Sequence, residues 1–560
     1  MNIRLLIISI SLLILPAAQA QKLQCTFEVD GDINLFNGSD HGVNPGDIIC
    51  VKPGFRNFIQ FRNVHGTENN PVQIVNKEGL VIINSDGSYG IKFNNCSHIV
   101  FSGSGFETVP YGFIIASVEN GAGLSIDNLS TNVEIEKVEI SNVPIAGIYA
   151  KTEPDPEENC TFPAVRERFT MYDVSIHDCY LHDIGNEGFY IGSSKYLGQT
   201  VQCNGEDTTV LPHLIEGVRV YNNVLENIGW DAIQVSSAIS DCKIYGNLIM
   251  GDSYAEEIYQ MSGILIGGGS QCDCYNNIIK NGKGDGIDLL GMGGDRIYNN
   301  LIIEAGRTYQ PNDSTKQKHG IWVGDIATDP DLSYYIYNNT IIRPKTYGIK
   351  LSNTNIAANY IQNNIILDPG GYSSAGNDAY LNLLYPGINI LENNNLKTLD
   401  LNSVRFVNPS LQNFDLKAQS PAVNAGIDMQ WQGLFADIEN RPRPFDKDFD
   451  IGAYECQDSS LLSIQENYFG GNKLNISNCY PLPFDQLLTI EIQSEDFVKQ
   501  VEINLLDSSG TYVGKIYSGA LQAGKNILHF DLGYLNHGTY ILEVRHEDNV
   551  TGKRIIKQGE

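Results

Sequence analysis

The sequence predicts an all-β chain: a solenoid of short parallel strands followed by a small β-sandwich. Three observations predict it. A hexad of the form IYNNLI recurs through the middle of the chain, a tetrad of the form xGIx follows most copies, and residues 473–560 alternate like sandwich strands.

The elements follow in chain order. Arg4, the apolar run Leu5–Leu15 and Ala18-Gln19-Ala20 have the layout of a cleaved signal peptide over 1–20, with the mature chain starting near Gln21. Later segments fall short of a membrane-spanning length, so no transmembrane segment is expected. Thirty-seven basic residues against 66 acidic ones give a net charge of -29, which disfavours nucleic acid as a partner. A polyanionic sugar would need only a local basic cleft. Among eleven cysteines, Cys25 with Cys50 and Cys160 with Cys203 are candidate disulfide pairs. Cys272 and Cys274 are too close for a zinc knuckle, and no thiol chemistry is expected.

The solenoid is expected over 21–455. Its hexads are VYNNVL (220–225), IYGNLI (244–249), CYNNII (274–279), IYNNLI (297–302), IYNNTI (336–341) and IQNNII (361–366), with IHDCYL (176–181) and ILENNNL (390–396) as degraded copies. The tetrads are AGIY, EGFY, DAIQ, SGIL, DGID, HGIW and YGIK, starting at 146, 187, 231, 262, 285, 319 and 347. The offset from the second Asn, or its counterpart, to the tetrad is usually eight; it stretches to fifteen before Ser262 and nineteen before His319, so two insertions enter one turn. Short strands at solenoid periods, without helical periodicity between them, indicate a parallel β-helix. Asn223, Asn247, Asn277, Asn300, Asn339 and Asn364 would then stack as an internal amide ladder.

These residues carry a resemblance. Residues 40–455 resemble right-handed parallel β-helix proteins of the pectin-lyase-like superfamily, and "GDIICVKPGF" with "GIKFNNCSHIVFSGSG" resembles the opening coils of exported bacterial members. "SPAVNAGIDMQWQGLFADIENRPRPFDKDFDIGAYE" resembles the segment that closes bacterial cell-surface β-helices. It is read as a cap over the open end, within a closing region of about 408–455. After a linker at 456–472, "YPLPFD", "VEINLLDSSGTYVGKIYSG" and "NHGTYILEVRHEDNVTGKRIIKQ" resemble the C-terminal sorting domain of type IX secretion cargo, found in Bacteroidetes. That resemblance implies export across the outer membrane, with the type IX machinery as partner and a secreted or cell-surface location.

Chemistry is expected on the outward face of one sheet. The tetrad register puts Tyr149, Tyr190, Gln234, Leu265, Asp288, Trp322 and Lys350 in one outward column. It puts Ala146, Glu187, Asp231, Ser262, Asp285, His319 and Tyr347 at the corner before it. Acids beside a histidine, a lysine and aromatic rings suit a sugar chain. Asp231, Asp285, Asp288, His319 and Lys350 are the catalytic candidates; Tyr149, Glu187, Tyr190, Gln234, Trp322 and Tyr347 are the substrate-binding ones. Hydrolysis would use two of the carboxyl groups. Elimination would use Lys350, His319, Lys318 or Lys283 as base, with Arg296 or an aspartate-held calcium neutralising a uronate. No metal ligand set is identified, and calcium is the one cofactor considered. The order of acid, KHGIWVG and YGIKLS resembles polygalacturonases, whose adjacent aspartate pair is absent because GDGID separates its acids. The expected function is a polysaccharide lyase or glycoside hydrolase on acidic glycans, and the alternative is a non-catalytic carbohydrate-binding or adhesive surface protein.

Overall fold

The computed structural model describes residues 24–457 and 474–557, apart from 107, 311–315, 371–378, 482, 483, 485, 508–511, 537, 547 and 548. The expected leader at 1–20 and most of the expected linker lie outside the described residues. Three parallel sheets of 13, 12 and 12 strands wind around one axis, each full coil supplying one strand to each in turn. One such coil is Cys272–Tyr275, Ile278–Lys280 and Asp285–Leu289, on the first, second and third sheets respectively. Alternation sends Cys274, Ile279 and Ile287 into a continuous core. Among the described residues no helix is long and apolar enough to cross a membrane.

The paired asparagines have separate duties. The first of each pair (Asn222, Asn276, Asn299, Asn338, Asn363) has φ near +55° and makes the turn from first to second sheet, a conformation Asn tolerates better than most residues. The second builds the ladder. From Asn223 through Asn364, each Nδ2 donates to the Oδ1 one coil further on, at 2.9–3.0 Å, and the run ends on Asn395.

The tetrad glycines are packing requirements. A Cβ on Gly286 would lie 2.5 Å from the Gly320 carbonyl oxygen and 2.6 Å from Ile302 Cγ2, so the next coil could not approach. Disulfides join Cys25 to Cys50 and Cys160 to Cys203, and a third joins Cys242 to Cys272 in adjacent first-sheet strands.

The closing segment differs from expectation. It lies along the flank of the last coils instead of over their end. Leu301, Ile303, Ile342, Ile365 and Leu367 point out of the second sheet and are covered by Phe406, Phe414, Leu416, Ala422, Ile451 and Tyr454. Asn299, Asn338, Asn363 and Asn394 donate to the carbonyls of Ala436, Asp450, Ile427 and Ala425, at 2.7–2.9 Å. These late second-sheet strands are apolar on both faces, so the outer face needs cover as much as the end does.

Residues 474–557 form antiparallel sheets of three and four strands with their own core, including Phe484, Ile490, Ile503, Leu542 and Ile555.

Candidate active site

The third sheet carries both columns. Tyr149, Tyr190, Gln234, Leu265, Asp288, Trp322 and Lys350 are successive register partners. At the corner, the Gly147, Gly188, Ala232, Gly286 and Gly320 amides donate to the carbonyls of Glu187, Asp231, Ser262, His319 and Tyr347, one coil on. Ser262 is the register partner of Asp285.

The expected exposed face is largely covered. Asp231 and Gln234 are 1 % exposed, Glu187 3 %, Asp285 and His319 4 %, and Asp288 7 %. Tyr149, Tyr190, Trp322, Tyr347 and Lys350 are half-buried. The physical reason is that the ends of the two insertions close on the acids. Lys318, at the end of the second, places Nζ 2.8 Å from Asp285 Oδ2 and 3.1 Å from the carbonyl of Met261, at the end of the first. Asp285 Oδ1 accepts the His319 amide, so both of its oxygens meet donors.

The neighbouring acids are held differently. Burial pushes Asp231 up to about 8, although Ser262 Oγ donates to its Oδ1 at 2.7 Å. Burial likewise raises Glu187 to about 7. Asp288 stands well above the usual carboxylate range, from burial first and the Asp285 charge second. Burial works against the Lys318 ammonium, but Asp285 and Asp288 outweigh it and hold the group above its ordinary value. His319 is pulled down to about 3 by burial, hence a neutral imidazole stacked 5.3 Å from the Tyr347 ring. Burial also lowers Lys350, whose Nζ lies 3.2 Å from Gln317 Oε1. Among the described residues, Asp231 Oδ2, Gln234 Oε1, Asp288 Oδ1 and His319 Nδ1 are buried here without a hydrogen-bond partner.

The chain thus brings Asp231, Asp285, Asp288 and His319 together around Lys318. Trp322 flanks them, its Nε1 donating to Ser352 Oγ at 3.0 Å. Tyr149 and Tyr190 form a separate group, with Lys151 over both rings at 5.2 and 4.3 Å and the Tyr149 hydroxyl on Glu153. Sequence reasoning missed Asp252, fully buried, raised to about 6 by burial, and accepting the Gly284 amide at 3.0 Å. A signal existed: Gly282 and Gly284 in NGKGDG are the positions where a Cβ would strike Asp252.

Arg296, considered as a neutraliser, sits on the first sheet in an ion pair with Asp273. Among the described residues, a three-ligand grouping suited to a metal occurs at Glu136, His177 and Asp178, also outside the third sheet. The acids around Asp285 do not converge in that way.

Residues 199–404 match the family described as right handed beta helix region, and residues 478–558 match the secretion system C-terminal sorting domain. Two solved structures from Azotobacter vinelandii are similar. The A-module of mannuronan C-5 epimerase AlgE4 is 12 % identical, with 67 % of this chain and 96 % of that one covered and a TM-score of 0.29. For the AlgE6 A-module the identity is 14 %, the coverage 63 % and 91 %, and the TM-score 0.28. No curated protein matches the chain in sequence. The chain thus carries a right-handed parallel β-helix region ahead of a C-terminal sorting domain, which marks it for export by type IX secretion to the cell surface or beyond.

Proposed function

We propose that the protein is a glycoside hydrolase acting on a polysaccharide laid along the third sheet. One observation carries this reading: two carboxyl groups on one face are prepared in opposite ways. Asp231, buried and raised to about 8, keeps its proton at neutral pH and serves as general acid on the glycosidic oxygen. Asp285, bonded by Lys318 and the His319 amide, serves as the carboxylate that activates water. They stand two coils apart, roughly 9–10 Å by strand spacing. That fits the upper end of the separations used for inversion, about 6.5–9.5 Å. Asp288 and Gln234 orient the sugar, and Trp322 and Tyr347 supply apolar contact.

Elimination is the second reading, favoured by Lys350, whose burial disfavours the ammonium and makes it a base candidate. Incubating the protein with a panel of polysaccharides separates the readings. New reducing ends without unsaturated products support hydrolysis, and ultraviolet-absorbing unsaturated ends mean elimination. Binding with neither means the carbohydrate-binding alternative. Asp231→Asn and Asp285→Asn are each expected to lower turnover by about 100-fold or more with folding retained.

A further inference from the structure

We propose that the sugar seated over Asp231, Gln234 and Asp288 carries no carboxylate, and is a neutral or amino sugar presenting hydroxyl or ammonium donors. This rests on the reading of the third-sheet face as a glycan site, and it replaces the expectation of an acidic glycan at the point of cleavage.

The first argument is charge. Glu187, Asp231, Asp252, Asp285 and Asp288 crowd this face, and Lys318, the buried cation among them, is engaged by Asp285 and the Met261 carbonyl. Lys283 is paired with Glu256. Lys350 is two coils beyond Asp288 and turned to Gln317. A uronate carboxylate would therefore enter a low-dielectric site rich in acids whose central buried cation, Lys318, is already engaged by Asp285. The acids already respond to that environment: burial raises both Asp231 and Glu187, and the Glu187 charge adds to it at Asp231.

The second argument is independent of charge. Asp231 Oδ2, Gln234 Oε1 and Asp288 Oδ1 are buried oxygens without a hydrogen-bond partner among the described residues. Gln234 is the informative one, because a neutral amide in the outward column has no electrostatic reason to go unpaired. Its oxygen calls for a donor. A sugar hydroxyl donates to Gln234 Oε1 and accepts from the Asp231 carboxyl, whereas a carboxylate brings acceptors alone.

The test compares polygalacturonate with its carboxyl-reduced neutral counterpart, together with chitosan, by affinity electrophoresis and reducing-end release, with and without calcium. The full-length protein is expected to favour the reduced polymer or chitosan over native polygalacturonate by about tenfold or more. Preference for the native polymer, with or without calcium, overturns the proposal and leaves hydrolysis standing. Retention of a neutral or amino polymer without new ends keeps the proposal and removes hydrolysis. Retention of none overturns both. Gln234→Met, which removes the acceptor without adding charge, is expected to weaken retention about tenfold; unchanged retention takes the sugar off this position and overturns the proposal.

Discussion

Lys318 and Asp285 meet at 2.8 Å under two insertions, and the same ammonium also bonds the Met261 carbonyl. One lysine thus neutralises an acid of the sheet and ties together the loops that cover it. Removing it leaves Asp285 buried without its cation. Lys318→Met is expected to destabilise the solenoid by roughly 3 kcal/mol or more. Lys318→Arg keeps the charge and should recover much of this. Thermal unfolding followed by circular dichroism reads both; a Lys318→Met midpoint equal to wild type removes the pairing from the account.

Asp231 gives a pH dependence of known sign. Its folded value, about 8, lies above its unfolded value near 3.8. Between these the unfolded chain releases a proton that the folded chain keeps, so stability falls as pH rises and levels off above about 8. Asp231→Asn abolishes this contribution. Its melting temperature relative to wild type should climb from pH 4 to pH 8, and a constant difference across that range would contradict the assignment.

Gly286→Ala tests the stacking geometry. The added methyl would sit 2.5 Å from the Gly320 oxygen, forcing the Asp285 coil and the His319 coil apart. Destabilisation of roughly 1–3 kcal/mol is expected, together with loss of turnover, because both acids of that coil shift. Chemical denaturation and reducing-end assays measure the two effects.

The amide ladder makes a further prediction. Asn277 Oδ1 accepts from both the amide and the side chain of Asn247. Asn277→Leu leaves those two buried donors unmet, at roughly 1–3 kcal/mol each. Asn395→Leu, at the less buried end, should lower the melting midpoint much less.

Truncation after residue 457 removes the sorting domain at 478–558. The shortened protein is expected in the periplasm, and cell fractionation with an antibody against the solenoid would show this. Surface or medium localisation of the truncated chain would contradict it.

Much of this was legible in the chain. The tetrad register placed Asp288, Trp322 and Lys350 in one column, and the structure pairs them in that register. The hexad-to-tetrad offset broke where the insertions enter, before Ser262 and His319. Burial of the face was not legible, because the insertions have no repeat from which their path could be read. Lys318 stood in the sequence as one of several candidate bases; its tie to Asp285 depends on how the second insertion returns to the sheet. The place of the closing segment had a signal that went unread. Early second-sheet strands carry polar outward residues such as Glu226 and Lys280, whereas LII, TII and IIL at 301–303, 340–342 and 365–367 have almost none.

That flanking segment has a mechanical consequence. A stack of coils held only by nearest neighbours can fray from its open end one turn at a time. Here four asparagines on four successive coils grip a single covalent strap between Ala425 and Asp450. The last coil cannot peel away without drawing the strap off the three before it. The C-terminal end of the solenoid should therefore open as one cooperative block, and hydrogen exchange there should report a single opening energy where a bare stack would give a gradient.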